Sequence, residues 1–168
     1  SAAQAGHEKV VKVLLENRAT PNAKDPYVVD LFLLAAQAGH EKVVKVLLEN
    51  GANMNAKNPD GDTPLRVAAK AGREELVKIL LENGATPNAK DPHGVNPLLL
   101  AAQAGHEKVV KILLENGANP DHQDKFRKNA LHELIGAPLA EDTKKTIVKQ
   151  LIVKGTNTFE DKPDPQGA

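Results

Sequence analysis

AAQAGHEKVVKVLLEN, read from Ala2 to Asn17, returns unchanged from Ala35 to Asn50, and again from Ala101 to Asn116 with Ile112 as the one exchange. Ala35, Ala68 and Ala101 set a period of 33, and a diverged copy from Ala68 to Asn83 fills the gap between the near-identical ones. Such a period in helix-forming sequence describes an array of supersecondary units. Each is too small to bury its own apolar face and must stack on its neighbours.

The third unit shows how one copy folds. Asn58-Pro-Asp-Gly61-Asp-Thr63-Pro64-Leu65 is turn chemistry leading into a helix start. Gly61 permits unusual backbone angles, Thr63 is a good N-cap, and Pro64 suits the first helical position, where its missing N–H would have no partner anyway. A short helix follows with Leu65, Val67, Ala68 and Ala69 as apolar inner positions, the alanines allowing close approach of a neighbour. Ala71-Gly72 breaks that helix, and Glu74 and Glu75 open a second with acids at its positive end. Leu76, Val77, Leu80 and Leu81 have the spacing of a buried helical stripe. Asn83-Gly84 closes it, Gly84 taking a left-handed position that would cost another residue roughly 1 kcal/mol. The expected fold is therefore all-α, a solenoid of stacked helix-turn-helix units.

The chain has 168 residues, about five such units, and reads as one elongated domain. Lys plus Arg balance Asp plus Glu at 22 each, so no global positive field exists to gather phosphate backbone, and nucleic acid is not an expected partner. The absence of cysteine excludes a disulfide framework and a thiolate metal site, and suits a reducing compartment such as the cytoplasm. No apolar run approaches the roughly 20 residues needed to span a bilayer, so no membrane role is expected. The sequence opens at Ser1 partway through a unit, which predicts that a preceding segment was lost or left out.

The chain resembles the ankyrin repeat family across essentially its whole length. The family's T-P-L-H motif appears as Thr63-Pro64-Leu65-Arg66, Asn96-Pro97-Leu98-Leu99 and Asn129-Ala130-Leu131-His132. Gly-His recurs at Gly6-His7, Gly39-His40 and Gly105-His106, and the closing asparagine at Asn50, Asn83 and Asn116. The resemblance implies L-shaped units stacked into a curved right-handed solenoid, with hairpins and first helices lining a concave face.

The units run 1–24 (incomplete), 25–57, 58–90, 91–123 and 124–158, with a tail over 159–168. In the last unit, Ile147 and Val148 lie 38 rather than 33 residues beyond Val109 and Val110, which predicts an inter-helix loop five residues longer. Lys144, Lys145, Lys149 and Lys154 then make its second helix a polar end cap, as a solenoid requires. The incomplete first unit leaves Val10, Val11, Leu14 and Leu15 poorly covered, so that end is expected to fray or self-associate. Arg18 replaces its closing glycine and carries no functional reading.

Second helices are nearly constant between units, whereas Asp25 to Leu34, Asn58 to Val67 and Asp91 to Leu100 differ greatly. Constant positions answer to neighbouring units, while variable exposed ones are free to answer to something outside. The second unit departs furthest: Val28 replaces the turn glycine, Asp30 the capping threonine and Leu31 the first-turn proline. A β-branched residue fits a positive-φ position poorly, so this turn has a different shape. Tyr27, Val28 and Val29 would then form an apolar, solvent-facing tip of the kind that marks an interface. In the ankyrin pattern the tips meet partners, which implies Tyr27, Val29, Asp60, Asp62, His93 and Val95 as contacts. Leu33, Arg66 and Leu99, at the motif's histidine position, would extend the same face, and Val28 and Asp30 complete the candidate set. A competing reading packs Val28 and Val29 on the adjacent hairpin and places Leu33 and Leu99 in the core.

His7, His40 and His106 recur at an inter-helix turn, far apart along the stack, and read as structural hydrogen-bonding groups. Asp121, His122 and Asp124 share one hairpin without a fixed ligand spacing, and His132-Glu133 lacks the second histidine of a zinc helix. No phosphate loop, G-x-S-x-G motif or cysteine nucleophile occurs, so neither an enzyme nor a cofactor is expected. The row Lys9, Lys12, Lys42, Lys45, Lys108 and Lys111 interleaves with glutamates and reads as a solvated face. The leading expectation is a non-catalytic module gripping a folded protein through the tips and first helices of units two to four. Near-identical repeats without cysteine look like an engineered or consensus-derived binder. The alternatives are a self-associating homodimer, a natural intracellular scaffold with duplicated repeats, and an accessory domain delivering an enzyme to its substrate.

Overall fold

Residues 35–50, 68–83 and 101–116 each carry the end of one helix, a break at a glycine and the whole of a second helix. The computed structural model describes Lys9 and residues 26–160, with side chains through Gly155. The expectations for His7, for Arg18, for the uncovered stripe Val10, Val11, Leu14 and Leu15, and for residues 161–168 of the tail lie outside the described residues.

Eight helices follow one another over residues 26–160: α1 (Pro26–Ala38), α2 (Glu41–Glu49), α3 (Pro64–Ala71), α4 (Glu74–Glu82), α5 (Pro97–Ala104), α6 (Glu107–Glu115), α7 (Ala130–Gly136) and α8 (Glu141–Glu160). Thr63 Oγ1 accepts from the Arg66 N–H at 3.3 Å and Asn96 Oδ1 from the Leu99 N–H at 3.0 Å, capping α3 and α5 ahead of Pro64 and Pro97. Asn129 and His132 cap α7 reciprocally: Asn129 Oδ1 accepts from the His132 N–H, and His132 Nδ1 accepts from the Asn129 N–H.

First helices α1, α3, α5 and α7 pack side by side as one layer, and second helices α4, α6 and α8 as another. The first layer fits closely because Ala36, Ala69 and Ala102 are fully buried. Leu47, Leu80 and Leu113 are fully buried on the second helices. Each contributes about 1.5–3 kcal/mol by leaving water, so stability comes from stacking rather than from helices of nine residues alone.

The recurring histidine position joins successive units. His106 Nε2 donates to the Lys70 carbonyl at 3.0 Å, near the end of α3. Gly72, at φ 71°, leaves room for the imidazole; a Cβ there would stand 2.7 Å from it. Arg73 takes the same role one unit earlier, its Nε donating to the Gln37 carbonyl at 3.0 Å. His106 is thus the structural hydrogen-bonding group expected from its repetition.

The last unit corrects two expectations. Its inter-helix loop, residues 137–140, is two residues longer than Gly105-His106, and most of the five-residue offset is an additional turn at the start of α8. Ile147 still reaches the core and is fully buried. The end is also less polar than the lysines imply. Ile135 occupies the place of buried Ala36, Ala69 and Ala102 with no further unit over it among the described residues, and is 73% exposed; Ile152 and Val153 are exposed beside the lysines.

Candidate functional site

Three hairpin fingers project ahead of α3, α5 and α7. In each, one acid or amide side chain closes the turn. Asn58 Oδ1 accepts from the Asp62 N–H at 2.9 Å. Asp91 Oδ1 accepts from the N–H groups of His93 and Val95, both at 2.9 Å. Asp124 Oδ1 accepts from Phe126 and Lys128 at 2.8 and 3.0 Å. The residue three places on is left-handed in all three: Gly61 at φ 83°, Gly94 at 81° and Arg127 at 61°. Adjacent fingers are tied where the Lys125 N–H donates to the His93 carbonyl at 2.8 Å and His122 Nε2 to the Gly94 carbonyl at 2.6 Å.

Arg66 binds the finger of the third unit, hereafter the third finger, to that of the fourth unit, the fourth finger. Its Nη1 donates to the Gly61 carbonyl at 3.0 Å and to Asp62 Oδ1 at 2.6 Å, while Nε reaches the Val95 carbonyl at 3.1 Å and Nη2 reaches Asp91 Oδ2 at 2.9 Å. Only 3% of the residue is exposed. A guanidinium removed from water needs such partners, and here two carboxylates and two carbonyls supply them. Arg66 is thus not the exposed contact expected: it borders the groove between the fingers, almost wholly buried, and positions them.

Between the fingers and the first helices lies an open groove of about 910 Å3. Asp60, Asp62, His93 and Val95 line its finger side, and Gln37, Val67, Lys70, Leu100 and Gln103 its floor. With Arg66, which also borders the groove, five of the expected contact residues are thus brought together. Val67, expected inside, is only half-buried and faces this groove.

The other expected contacts separate from it. Val28 and Asp30 sit within α1, not at a hairpin tip, because the second unit forms no finger from Pro26 onward. Val28 is buried and Val29 half-buried, while Tyr27 is 77% exposed in the first turn of the helix and Asp30 is exposed. The apolar tip expected at Tyr27, Val28 and Val29 does not form. Leu33 and Leu99 are buried rather than presented on the outer face, so the competing core placement describes them.

Several residues at the groove were missed by reading units one at a time. Leu34, Val67 and Leu100 form an aliphatic row and Gln37, Lys70 and Gln103 a polar one, each at intervals of 33. Phe126, 68% exposed, stands 33 beyond His93 at the tip of the last finger, with Lys125 Nζ 4.9 Å from its ring. The period itself could have found all of these. Among the described residues, no group of three His, Cys, Asp or Glu side chains is arranged to hold a metal ion, and no helix is long and apolar enough to cross a membrane.

A family model for three copies of the ankyrin repeat matches residues 31–124, and a single-repeat model matches residues 1–26. No curated protein matches the chain. Beyond residue 124 the structure repeats the same finger and helix pair through α7 and α8. With more than half of its length matched in this way, the chain belongs to the ankyrin repeat family, whose repeats generally act as protein–protein interaction modules.

Proposed function

We propose that this chain is a non-catalytic receptor for a folded protein, gripped by the third and fourth fingers together with the floor supplied by α1, α3 and α5. The observation that carries this reading is the groove, where exposed charged groups at Asp60, Asp62 and Lys70 surround the half-buried aliphatics Val67, Val95 and Leu100. An apolar centre with a charged rim is the usual anatomy of a protein interface. Stacking leaves this surface rigid, so little order has to be imposed on binding. The near-identity of the units and the lack of cysteine support a consensus-derived origin for the scaffold.

Panning a display library of folded protein domains on the immobilised chain tests the reading. Selected domains should lose at least about tenfold in affinity on Asp60→Lys and on Leu100→Asp. Domains that bind both variants as well as the parent would place the receptor surface elsewhere. A second reading, self-association, is favoured by the exposure of Ile135 and Ile152 at the end of the stack. It predicts a molar mass above 18.0 kDa in light scattering that falls to that value on Ile135→Ser.

A further inference from the structure

The groove's side chains repeat with the units, and this places a geometric demand on whatever lies along it. Neighbouring packed helices stand about 8–10 Å apart, so Val67 and Leu100 in the groove form rungs at about that spacing, and exposed Leu34 on α1 continues the row just outside its lining. A β-strand returns a side chain to the same face every two residues, after about 6.6 Å, and falls out of step at the second rung. A polyproline-type extended chain returns every three residues, after about 9 Å, and stays in step. An α-helix comes near with about 10.5 Å over seven residues.

The second row decides between the last two. Gln37 and Gln103, exposed on the floor, carry amides that can both donate and accept, and Lys70 between them adds a donor. A helix has satisfied its own backbone, whereas a polyproline-type chain has every N–H and carbonyl still to bond. Two amides two repeats apart, with the Lys70 donor between them, therefore suit the extended chain.

Charge gives the polarity. On the finger side stand Asp60, Asp62 and Asp91, against which the buried Arg66 is set within the fingers and Lys70 on the floor. The Arg66 bonds occupy Asp62 Oδ1 and Asp91 Oδ2, while Asp60 is exposed and the Asp62 side chain remains 37% exposed. The finger wall thus keeps an excess of negative charge facing the groove, in a chain whose overall charge is zero.

Resting on the receptor reading above, we infer that the groove takes an extended, polyproline-type segment of its partner, with an aliphatic residue at every third position and a lysine or arginine directed at Asp60 and Asp62. The aliphatics cover Leu34, Val67 and Leu100, the amides of Gln37 and Gln103 bond the segment's backbone, and the basic side chain lies along the fingers.

Three fluorescein-labelled peptides test this by anisotropy titration against the full chain. The first carries leucine at every third residue with flanking lysines, the second replaces those lysines by glutamate, and the third is an alanine-rich helix with leucine at every seventh residue and the same lysines. The first should bind at least about tenfold tighter than either of the others, and lose about tenfold on Asp60→Lys, an exposed site whose exchange leaves the fold intact. Leu100→Asp should abolish its binding, with circular dichroism confirming that the helices persist. Equal or tighter binding of the glutamate or the helical peptide overturns the inference, as does failure of all three to bind or indifference to Asp60→Lys. If the peptides fail while domains selected by panning still respond to Asp60→Lys and Leu100→Asp, the extended segment is wrong and the receptor reading stands. If the domains are insensitive too, both fall.

Discussion

The second and third units share the same helical scaffold yet begin in different ways. From Asn58 to Asp62 the chain makes a finger and only then enters the eight-residue α3; from Pro26 it is already helical and continues for thirteen residues as α1. The difference traces to one position. Gly61 has φ 83°, and a Cβ there would lie 2.7 Å from Pro92 of the next finger, so both the local backbone and the stack demand glycine. Val28 stands in the corresponding place. It is β-branched, so the left-handed turn is costly, while Pro26 fits the first turn of a helix and Val28 gains burial there. One side chain thus decides whether a unit offers a finger to the groove or an extra turn to the core.

The largest expected effect comes from Arg66→Leu, which copies the residue found at Leu33 and Leu99. It strips Asp91 and two carbonyls of a buried partner and should lower the unfolding free energy by about 3 kcal/mol in urea denaturation. A loss below about 1 kcal/mol would mean that the third and fourth fingers hold their places without it. Gly61→Val transplants the second unit's choice into the third. The strained φ and the contact with Pro92 together should remove about 2 kcal/mol, with the amide resonances of Asp60 to Asp62 shifting as the turn opens. Unchanged resonances would show that a finger tolerates valine, and that Val28 is not what abolished its counterpart.

His106→Leu imitates Leu139, which packs over Gly105 in the last unit without a polar atom to give. The hydrogen bond to the Lys70 carbonyl is lost but the packing is kept, so about 1 kcal/mol is expected in the same denaturation measurement. The smallest effect belongs to Tyr27→Ser: stability should stay within about 0.5 kcal/mol, and the affinity of any groove-binding partner within about twofold. A larger fall in affinity would extend the binding surface onto α1 and erase the functional contrast between the two units.

Much of this was legible in the residues. Thr63 and Pro64 marked the start of α3, Gly72 and Gly84 its end and that of α4, and the stripe Leu76, Val77 and Leu80 lies in the core as its spacing required. The contact set was legible only in part. Asp60, Asp62, His93 and Val95 face the groove because a short finger leaves its tip residues outside whatever their chemistry. Leu33, Arg66 and Leu99 share a motif position that the resemblance placed on the outer face, yet all three are buried, Arg66 through its bonds to two fingers. Phe126 and the row Leu34, Val67 and Leu100 were legible in the period but not within any single unit.

The sequence by itself determined the repeat, the helices, their caps and the glycines that end them, because those follow from interactions spanning a few residues and from an apolar pattern written once per turn. Only the tertiary structure decided what Arg66 holds, where His106 donates and which aliphatics face the groove. Arg66 reaches Val95, 29 residues away, and His106 reaches Lys70, 36 away, each in an adjoining unit. Burial in a solenoid is conferred by the next unit, so the same repeat position is core beneath a neighbour, as at Ala102, and surface where the described residues place none over it, as at Ile135.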